Sequence, residues 1–266
     1  MSTVKTTAVL FDAYGTLFQN QVPLWGTTFD AICREQRLGA SGDSLYKAWR
    51  MHDAEWRRAR IDGDFSTQPP FVTYFEAWHE CFQRAFHDLD VIGDAGSATR
   101  AVVDALAHRE PYPDARQAVP LLQARSRTGI LSNADDSFLL RALDGSGFSF
   151  ETVLTSEQGR MYKPDPGLFT QALELIGVGP AEALYVGDTP EEDVLGAKLA
   201  GMRVAWVNRG KAWKDFLPAP DYEISKLTDL TPILDGSAGE AQPGRGVSPP
   251  PTYQGGEISG HLRKRC

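Results

Sequence analysis

The sequence predicts an α/β fold, in which a parallel, Rossmann-like sheet carries an all-helical insertion after its first strand. Residues 111–235 alternate between short β-branched or apolar runs and helix-like segments, which is typical of a parallel sheet. Residues 22–108 instead repeat apolar and aromatic side chains at three- and four-residue steps, which indicates three or four helices. We therefore expect an α/β core with a helical domain inserted into it.

The elements follow in order from this pattern. The apolar run Thr6 to Phe11 predicts a buried first strand. Later strands are predicted at 128–131, 152–155, 184–186, 203–207 and near Tyr222, with helices between them. The predicted domains are a core of 1–18 and 111–235, a helical insertion of 19–110, and a Gly- and Pro-rich disordered tail of 236–266.

Composition narrows the class of protein. The 266 residues carry a formal net charge of -8, which argues against a general nucleic-acid binder. No apolar run approaches the length of a membrane span, and no signal peptide precedes the first strand. The three cysteines lack metal-ligand or redox spacing, so a reducing cytoplasmic compartment is expected. We expect a small-molecule substrate and neither a nucleic-acid nor a membrane partner.

Polar side chains follow the predicted strands at the edge where open α/β sheets bind ligands. Asp12 comes directly after the first strand, in Phe11-Asp12-Ala13-Tyr14-Gly15-Thr16-Leu17, and a carboxylate there is suited to nucleophilic attack. Ser132 and Asn133 end the second strand and can donate hydrogen bonds to an oxyanion or a halide. Asp188 follows a later buried strand, where an ordinary helix cap does not explain it.

Together with Lys163 in Lys-Pro-Asp-Pro, these stretches resemble the four motifs of the haloacid dehalogenase (HAD) superfamily. The resemblance implies a covalent intermediate on Asp12, with Lys163 holding its carboxylate ionised. It also implies that the helical insertion is a C1-type cap, which excludes water and sets specificity. Thr16, within the first motif, is expected to contact the substrate.

The fourth motif, Gly187-Asp188-Thr189-Pro190-Glu191-Glu192-Asp193, is similar to that of the magnesium-dependent phosphatase branch. This resemblance implies an Mg²⁺ site made of oxygen ligands, as Mg²⁺ requires. The expected ligands are Asp12, the main-chain carbonyl of Tyr14, Asp188 and Asp193.

Tyr14 departs from the phosphatase pattern. Phosphatases of this superfamily usually place a second Asp there as the general acid and base, and a phenol is a poor substitute. Tyr14 matches the 2-haloacid dehalogenases instead, whose halide leaving group needs no proton. Arg50, in Trp49-Arg50, is similar to the arginine that receives the halide in those enzymes, although the favoured interpretation is a solvated helix face formed by Arg50, Arg57, Arg58 and Arg60.

The sequence thus favours an HAD hydrolase, and within that class an Mg²⁺-dependent phosphatase acting on a phosphorylated small molecule. Asp12, Tyr14, Ser132, Asn133 and Lys163 are its expected catalytic residues. A metal-independent 2-haloacid dehalogenase is the first alternative, with a halogenated acid as substrate and Arg50 receiving halide. A non-catalytic binding protein on the same scaffold is the second.

Overall fold

The computed structural model describes residues 5–61 and 70–236. Contacts between Cα atoms divide these residues into two compact units. The first comprises the described residues up to Val22 and from Val103 onward, and the second is the described part of Pro23–Val102. The predicted insertion limits, 19–110, stay a prediction, and the predicted disordered tail lies outside the described residues apart from Gly236.

The first unit is built on a six-stranded sheet in the order β3-β2-β1-β4-β5-β6, with every neighbouring pair parallel. The predicted parallel Rossmann-like sheet is therefore confirmed. The strands are β1 Ala8–Phe11, β2 Arg127–Ser132, β3 Thr152–Thr155, β4 Ala183–Gly187, β5 Arg203–Val207 and β6 Tyr222–Ile224.

The connecting segments of this unit are mostly helical. Its helices are α5 Pro113–Gln123, α6 Asp136–Ser146, α7 Ser156–Gly159, α8 Pro166–Ile176, α9 Leu195–Leu199 and α10 Leu230–Leu234. The predicted helix at 191–201 is a π-helical turn, Pro190–Val194, that continues into the short α9. Apolar residues of α8 pack with those of β2 and β4 in one buried cluster, so this helix is held against the sheet.

The second unit contains α1 Val22–Gln36, α2 Gly42–Ile61, α3 Tyr74–Asp88 and the first part of α4 Ala95–Ala107. Its core is aromatic: the ring of Trp49 is tilted against those of Phe29, Trp78 and Phe82, with ring centroids 5.3–5.9 Å apart. All four side chains are buried, so the aromatic periodicity of the sequence reflects packing inside this unit. No helix among residues 5–61 and 70–236 is long and apolar enough to cross a membrane.

Candidate active site

The site lies in the first unit, at the carboxyl edge of the sheet. β1 is hydrogen-bonded to β2 on one side and to β4 on the other, and Phe11 pairs in register with Ile130 and Val186. Three consecutive neighbours of the sheet therefore end at one level and deliver Asp12, Ser132 and Asp188 to the same place. The strand order also reverses here: the chain passes from β1 to β2 and β3 on one side and then crosses to β4 on the other side of β1. Ligands bind at such points in open α/β sheets.

Lys163 is the hub of this edge. Its ammonium nitrogen lies 2.7 Å from Asp12 Oδ1, 2.6 Å from Asp193 Oδ1 and 2.9 Å from the Tyr185 hydroxyl. These contacts use all three ammonium hydrogens, and the side chain is only 1% exposed. Burial alone would lower the pKa of Lys163, but the charges of Asp12 and Asp193 outweigh it and hold that pKa well above its usual value.

Ser132 and Asn133 reach different parts of this network. Ser132 Oγ donates to Asp12 Oδ1 over 3.0 Å, the same oxygen that Lys163 contacts. Asn133 Oδ1 accepts the main-chain N–H of Lys163 at 2.7 Å, while its Nδ2 donates to the Lys163 carbonyl and to Glu192. Asn133 thus fixes the turn that presents Lys163, and its expected contact with an oxyanion or halide stays a prediction.

Burial is the largest influence on the pKa values of the carboxylates in the site. It raises the pKa of Asp12, the charge of Asp188 adds to that effect, and Lys163 opposes both. Burial likewise raises the pKa of Asp193 to about 6, again against the attraction of Lys163. The lysine therefore offsets a desolvation cost that would otherwise favour the protonated acids.

The hydroxyl of Tyr14 is hydrogen-bonded to a main-chain carbonyl. The phenol donates to the main-chain carbonyl of Leu106 over 3.2 Å, and its ring packs 5.8 Å from Phe18 and 5.6 Å from Phe138 between centroids. Burial raises the pKa of Tyr14 far above its ordinary value. The phenol is therefore unsuited to exchanging protons near neutral pH.

Three buried carboxylates fit a divalent cation. One oxygen each of Asp12, Asp188 and Asp193 lies within 4.8 Å of the others. Two glycines make room for them: a Cβ on Gly15, whose φ is +98°, would stand 2.6 Å from an Asp188 oxygen, and a Cβ on Gly187 would stand 2.3 Å from the Asp193 carboxyl carbon. Oxygen-only donors of this kind suit Mg²⁺, while the expected ligation by the Tyr14 carbonyl stays a prediction.

Lys211 is a site residue that sequence reasoning missed. Its ammonium group contacts Asp188 Oδ2 and lies 3.2 Å from both the Asp188 carbonyl and the Thr189 hydroxyl. Burial lowers the pKa of Lys211, but Asp188 more than compensates, so the pKa is raised and the group is charged at neutral pH. The available signal was position alone: Lys211 follows β5, the neighbour of β4.

Arg209 is a second residue that was missed. Its guanidinium donates to the carbonyls of Gly15 and Thr16 over 3.1 and 3.0 Å and pairs with Asp114 at 3.1 Å. It therefore holds the turn after Asp12. Thr16 is fully buried, and its hydroxyl has no hydrogen-bond partner within the described ranges; its contact with substrate stays a prediction.

A family model described as haloacid dehalogenase-like hydrolase matches residues 6–201. The chain belongs to this hydrolase family. The matched range begins before β1 and ends after α9, so it includes every strand end that brings a side chain to Asp12. The predicted superfamily and fold are thus confirmed for this HAD hydrolase.

The relatives of the hydrolase include both phosphatases and dehalogenases. Phosphoserine phosphatase of Thermus thermophilus is 35% identical over 170 residues, which are 60% of this chain and 68% of the relative. Haloacetate dehalogenase H-2 of a Moraxella species is 29% identical over 234 residues, 86% of this chain and 98% of the relative. The solved L-2-haloacid dehalogenase of Xanthobacter autotrophicus superposes with a TM-score of 0.70 at 27% identity, covering 88% and 100% of the two chains. These matches do not favour a phosphatase over a dehalogenase.

Arg50 of the hydrolase lies on α2, in the second unit. Its guanidinium is paired with Asp53, which also accepts hydrogen bonds from Arg57 Nε and from the indole N–H of Trp78. The arginine therefore has a structural partner on its own helix. Its expected role in receiving halide stays a prediction.

Proposed function

We propose that this HAD hydrolase is a 2-haloacid dehalogenase that works through an ester on Asp12. The observation that carries the proposal is the hydroxyl of Tyr14, which donates to the Leu106 carbonyl and is buried beside Phe18. A halide leaves as a stable anion and needs no proton, so a site without an acid at this position suits it. An alkyl phosphate would have to expel an alkoxide, for which such an acid matters most.

The geometry around Asp12 supports a division of labour between its two oxygens. Lys163 and Ser132 both donate to Oδ1, so we propose Oδ2 as the attacking oxygen. In the first step Oδ2 forms a bond to the carbon bearing the halogen, and the halide leaves with the electron pair of the broken bond. Oδ1 then becomes the carbonyl oxygen of the ester, already held by two donors.

The second step returns Asp12 to its starting state. Water attacks the carboxyl carbon of the ester, negative charge develops on Oδ1, and Lys163 and Ser132 stabilise it there as an oxyanion. We assign Asp188 as the base that takes one proton of the water and passes it to the alkoxide oxygen of the leaving product, because one of its oxygens lies within 4.8 Å of an Asp12 oxygen. The second proton of the water remains on the re-formed Asp12 carboxyl and is released to solvent, which restores the carboxylate. Burial raises the pKa of Asp188 and so improves it as a base.

An Mg²⁺-dependent phosphatase is the second candidate, and the spacing of the three carboxylates favours it. Asp12, Asp188 and Asp193 would hold the ion, with the Tyr14 carbonyl as a further expected ligand, and Mg²⁺ would neutralise charge on a phosphoryl group. Asp12 would then attack phosphorus. Since Tyr14 supplies no acid, we expect acyl phosphates, anhydrides or aryl esters to react better than alkyl monoesters.

One assay separates these candidates. Purified protein is given 2-chloropropionate in excess EDTA, and acetyl phosphate with and without Mg²⁺, while halide and phosphate release are measured. The dehalogenase proposal expects halide release that persists in EDTA and is lost in Asp12→Asn. Phosphate release that EDTA abolishes, without halide release, would instead establish the phosphatase. If neither substrate class gave Asp12-dependent turnover, the binding-protein alternative would gain support.

Three broader expectations remain part of the proposal. We propose that residues 19–110 form the cap, that the partner of the enzyme is a small halogenated or phosphorylated acid, and that the enzyme is cytoplasmic. The acidic net charge supports the absence of a general nucleic-acid partner.

A further inference from the structure

The Lys211 ammonium has the contacts of a cation held in a built site. Three oxygens surround it, the Asp188 carboxylate, the Asp188 carbonyl and the Thr189 hydroxyl, and an ammonium has three hydrogens to donate. The main chain of Asp188 is held as well, because Trp206 Nε1 donates to the same carbonyl over 3.1 Å. Lys211 is therefore paired with a buried carboxylate whose main chain is held in place.

The contact between Lys211 and Asp188 affects cation binding because of the charges around Asp188. Asp12, Asp188 and Asp193 bring three negative charges together, and Lys163 neutralises the side that faces Asp12 and Asp193. Lys211 adds a second positive charge, and it binds the carboxylate that Lys163 does not contact among the described residues. A divalent cation at this cluster would have to share Asp188 with that ammonium, and like charges this close repel strongly when partly buried.

We propose that Lys211 is a metal-specificity residue, a built-in monovalent cation that occupies Asp188 and weakens Mg²⁺ binding at the Asp12–Asp188–Asp193 cluster. The inference deepens the proposed dehalogenase function, which needs no metal. It depends on contacts of the protein alone, so it can be tested without any substrate.

The experiment is a calorimetric titration of the purified full-length chain with MgCl₂. In Lys211→Met the competing charge is gone while the aliphatic stem remains, so the dissociation constant for Mg²⁺ should fall by at least about tenfold relative to the wild type. Lys211→Arg keeps the charge and should stay within about threefold of the wild type. Asp188→Asn added to Lys211→Met should abolish the new heat signal, which shows that the ion binds at this cluster.

Lys214→Met is the matched control. Lys214 lies three residues further along the same segment and pairs with Glu191, and its side chain is 52% exposed, against 46% for Lys211. The two methionine variants therefore change the net charge equally. Equal gains in Mg²⁺ affinity in both would reduce the effect to overall charge and overturn the inference.

Two further results would also overturn it: unchanged or weaker Mg²⁺ binding in Lys211→Met, and no binding at millimolar Mg²⁺ in that variant. Circular dichroism and thermal melting establish that each variant is folded. If Lys211→Met loses its melting transition, Lys211→Gln replaces it, since glutamine keeps a donor for Asp188 without the charge, and the same tenfold criterion applies. Halide release plays no part in this result, so failure here and failure of the proposed function are distinguishable.

Discussion

The buried Asp53 of the helical unit and the three buried aspartates of the sheet edge differ in how completely their charge is neutralised. Asp53 of the helical unit is 2% exposed and receives hydrogen bonds from Arg50, Arg57 and the Trp78 indole. A single carboxylate there faces two guanidinium groups. At the sheet edge, among the residues that the structure describes, three carboxylates face two ammonium groups, those of Lys163 and Lys211.

The difference separates a structural acid from a reactive one. A carboxylate with more cationic partners than charge is stabilised as an ion and has little left to offer a ligand. The sheet-edge cluster keeps an excess of negative charge, and burial raises the pKa of each of its three acids. Such under-compensated groups are the ones that can bind a cation, move a proton or attack an electrophile.

The largest expected effect comes from Asp12. Asp12→Asn removes the nucleophile and should lower turnover by at least about a thousandfold. Because the cluster carries excess negative charge, the same change should leave the melting temperature unchanged or raise it. Steady-state kinetics and thermal melting measure the two effects. A fall in melting temperature of several degrees would mean that Asp12 is as structural as Asp53.

Asp53 should behave in the opposite way. Asp53→Asn leaves Arg50 and Arg57 without their shared counter-charge and should reduce the free energy of unfolding by about 2 kcal/mol. Urea denaturation measures this change. The matched control is Asp43→Asn on the same helix, whose ion pair with Lys47 is exposed, and which should cost no more than about 0.5 kcal/mol. Equal losses of unfolding free energy in Asp53→Asn and Asp43→Asn would show that Asp53 is not a structural acid.

A substitution of Arg209 tests whether this cation supports turnover through its hydrogen-bond geometry and not through its charge. Arg209→Lys keeps the charge but cannot bridge the Gly15 and Thr16 carbonyls to Asp114, so turnover should fall about tenfold as the turn after Asp12 loosens. Arg203→Lys, at the start of β5 and bonded to the Thr6 hydroxyl, should stay within about twofold. An unaffected Arg209→Lys enzyme would remove Arg209 from the list of positioning residues.

The smallest effect is expected at Tyr14. Tyr14→Phe deletes only the hydroxyl that bonds Leu106, so halide release should stay within about threefold of the wild type. Initial rates with 2-chloropropionate provide the measurement. A loss of a hundredfold or more would show that the phenol takes part in the reaction.

Much of the fold could be predicted from the sequence because its strands are short apolar runs that end in polar residues. Asp12 and Asp188 are recognisable in this way, since each follows a run too apolar to end in an exposed acid by chance. Parallel pairing then brings such residues together whatever their separation along the chain. The parallel sheet was expected for the same reason and is confirmed.

Other contacts of the site could not be predicted. Lys211 and Arg209 stand in a loop with no periodicity, and they reach Asp188 and Gly15 only because β5 lies beside β4. The direction of the Tyr14 hydroxyl depends on a carbonyl of α4, 92 residues away. Asn133 could be placed at a strand end, but its bonds to the Lys163 main chain depend on the path of a later loop.

The central claim is that Asp12 carries an ester whose carboxyl carbon is attacked by water without help from a metal. Turnover of 2-chloropropionate in water enriched in oxygen-18, with excess EDTA, tests it directly, because attack at that carbon leaves solvent oxygen in the Asp12 carboxylate. Mass spectrometry of the peptide containing Asp12 should then show oxygen-18 incorporation that is absent without substrate. Product formation with an unlabelled Asp12 peptide would contradict the claim.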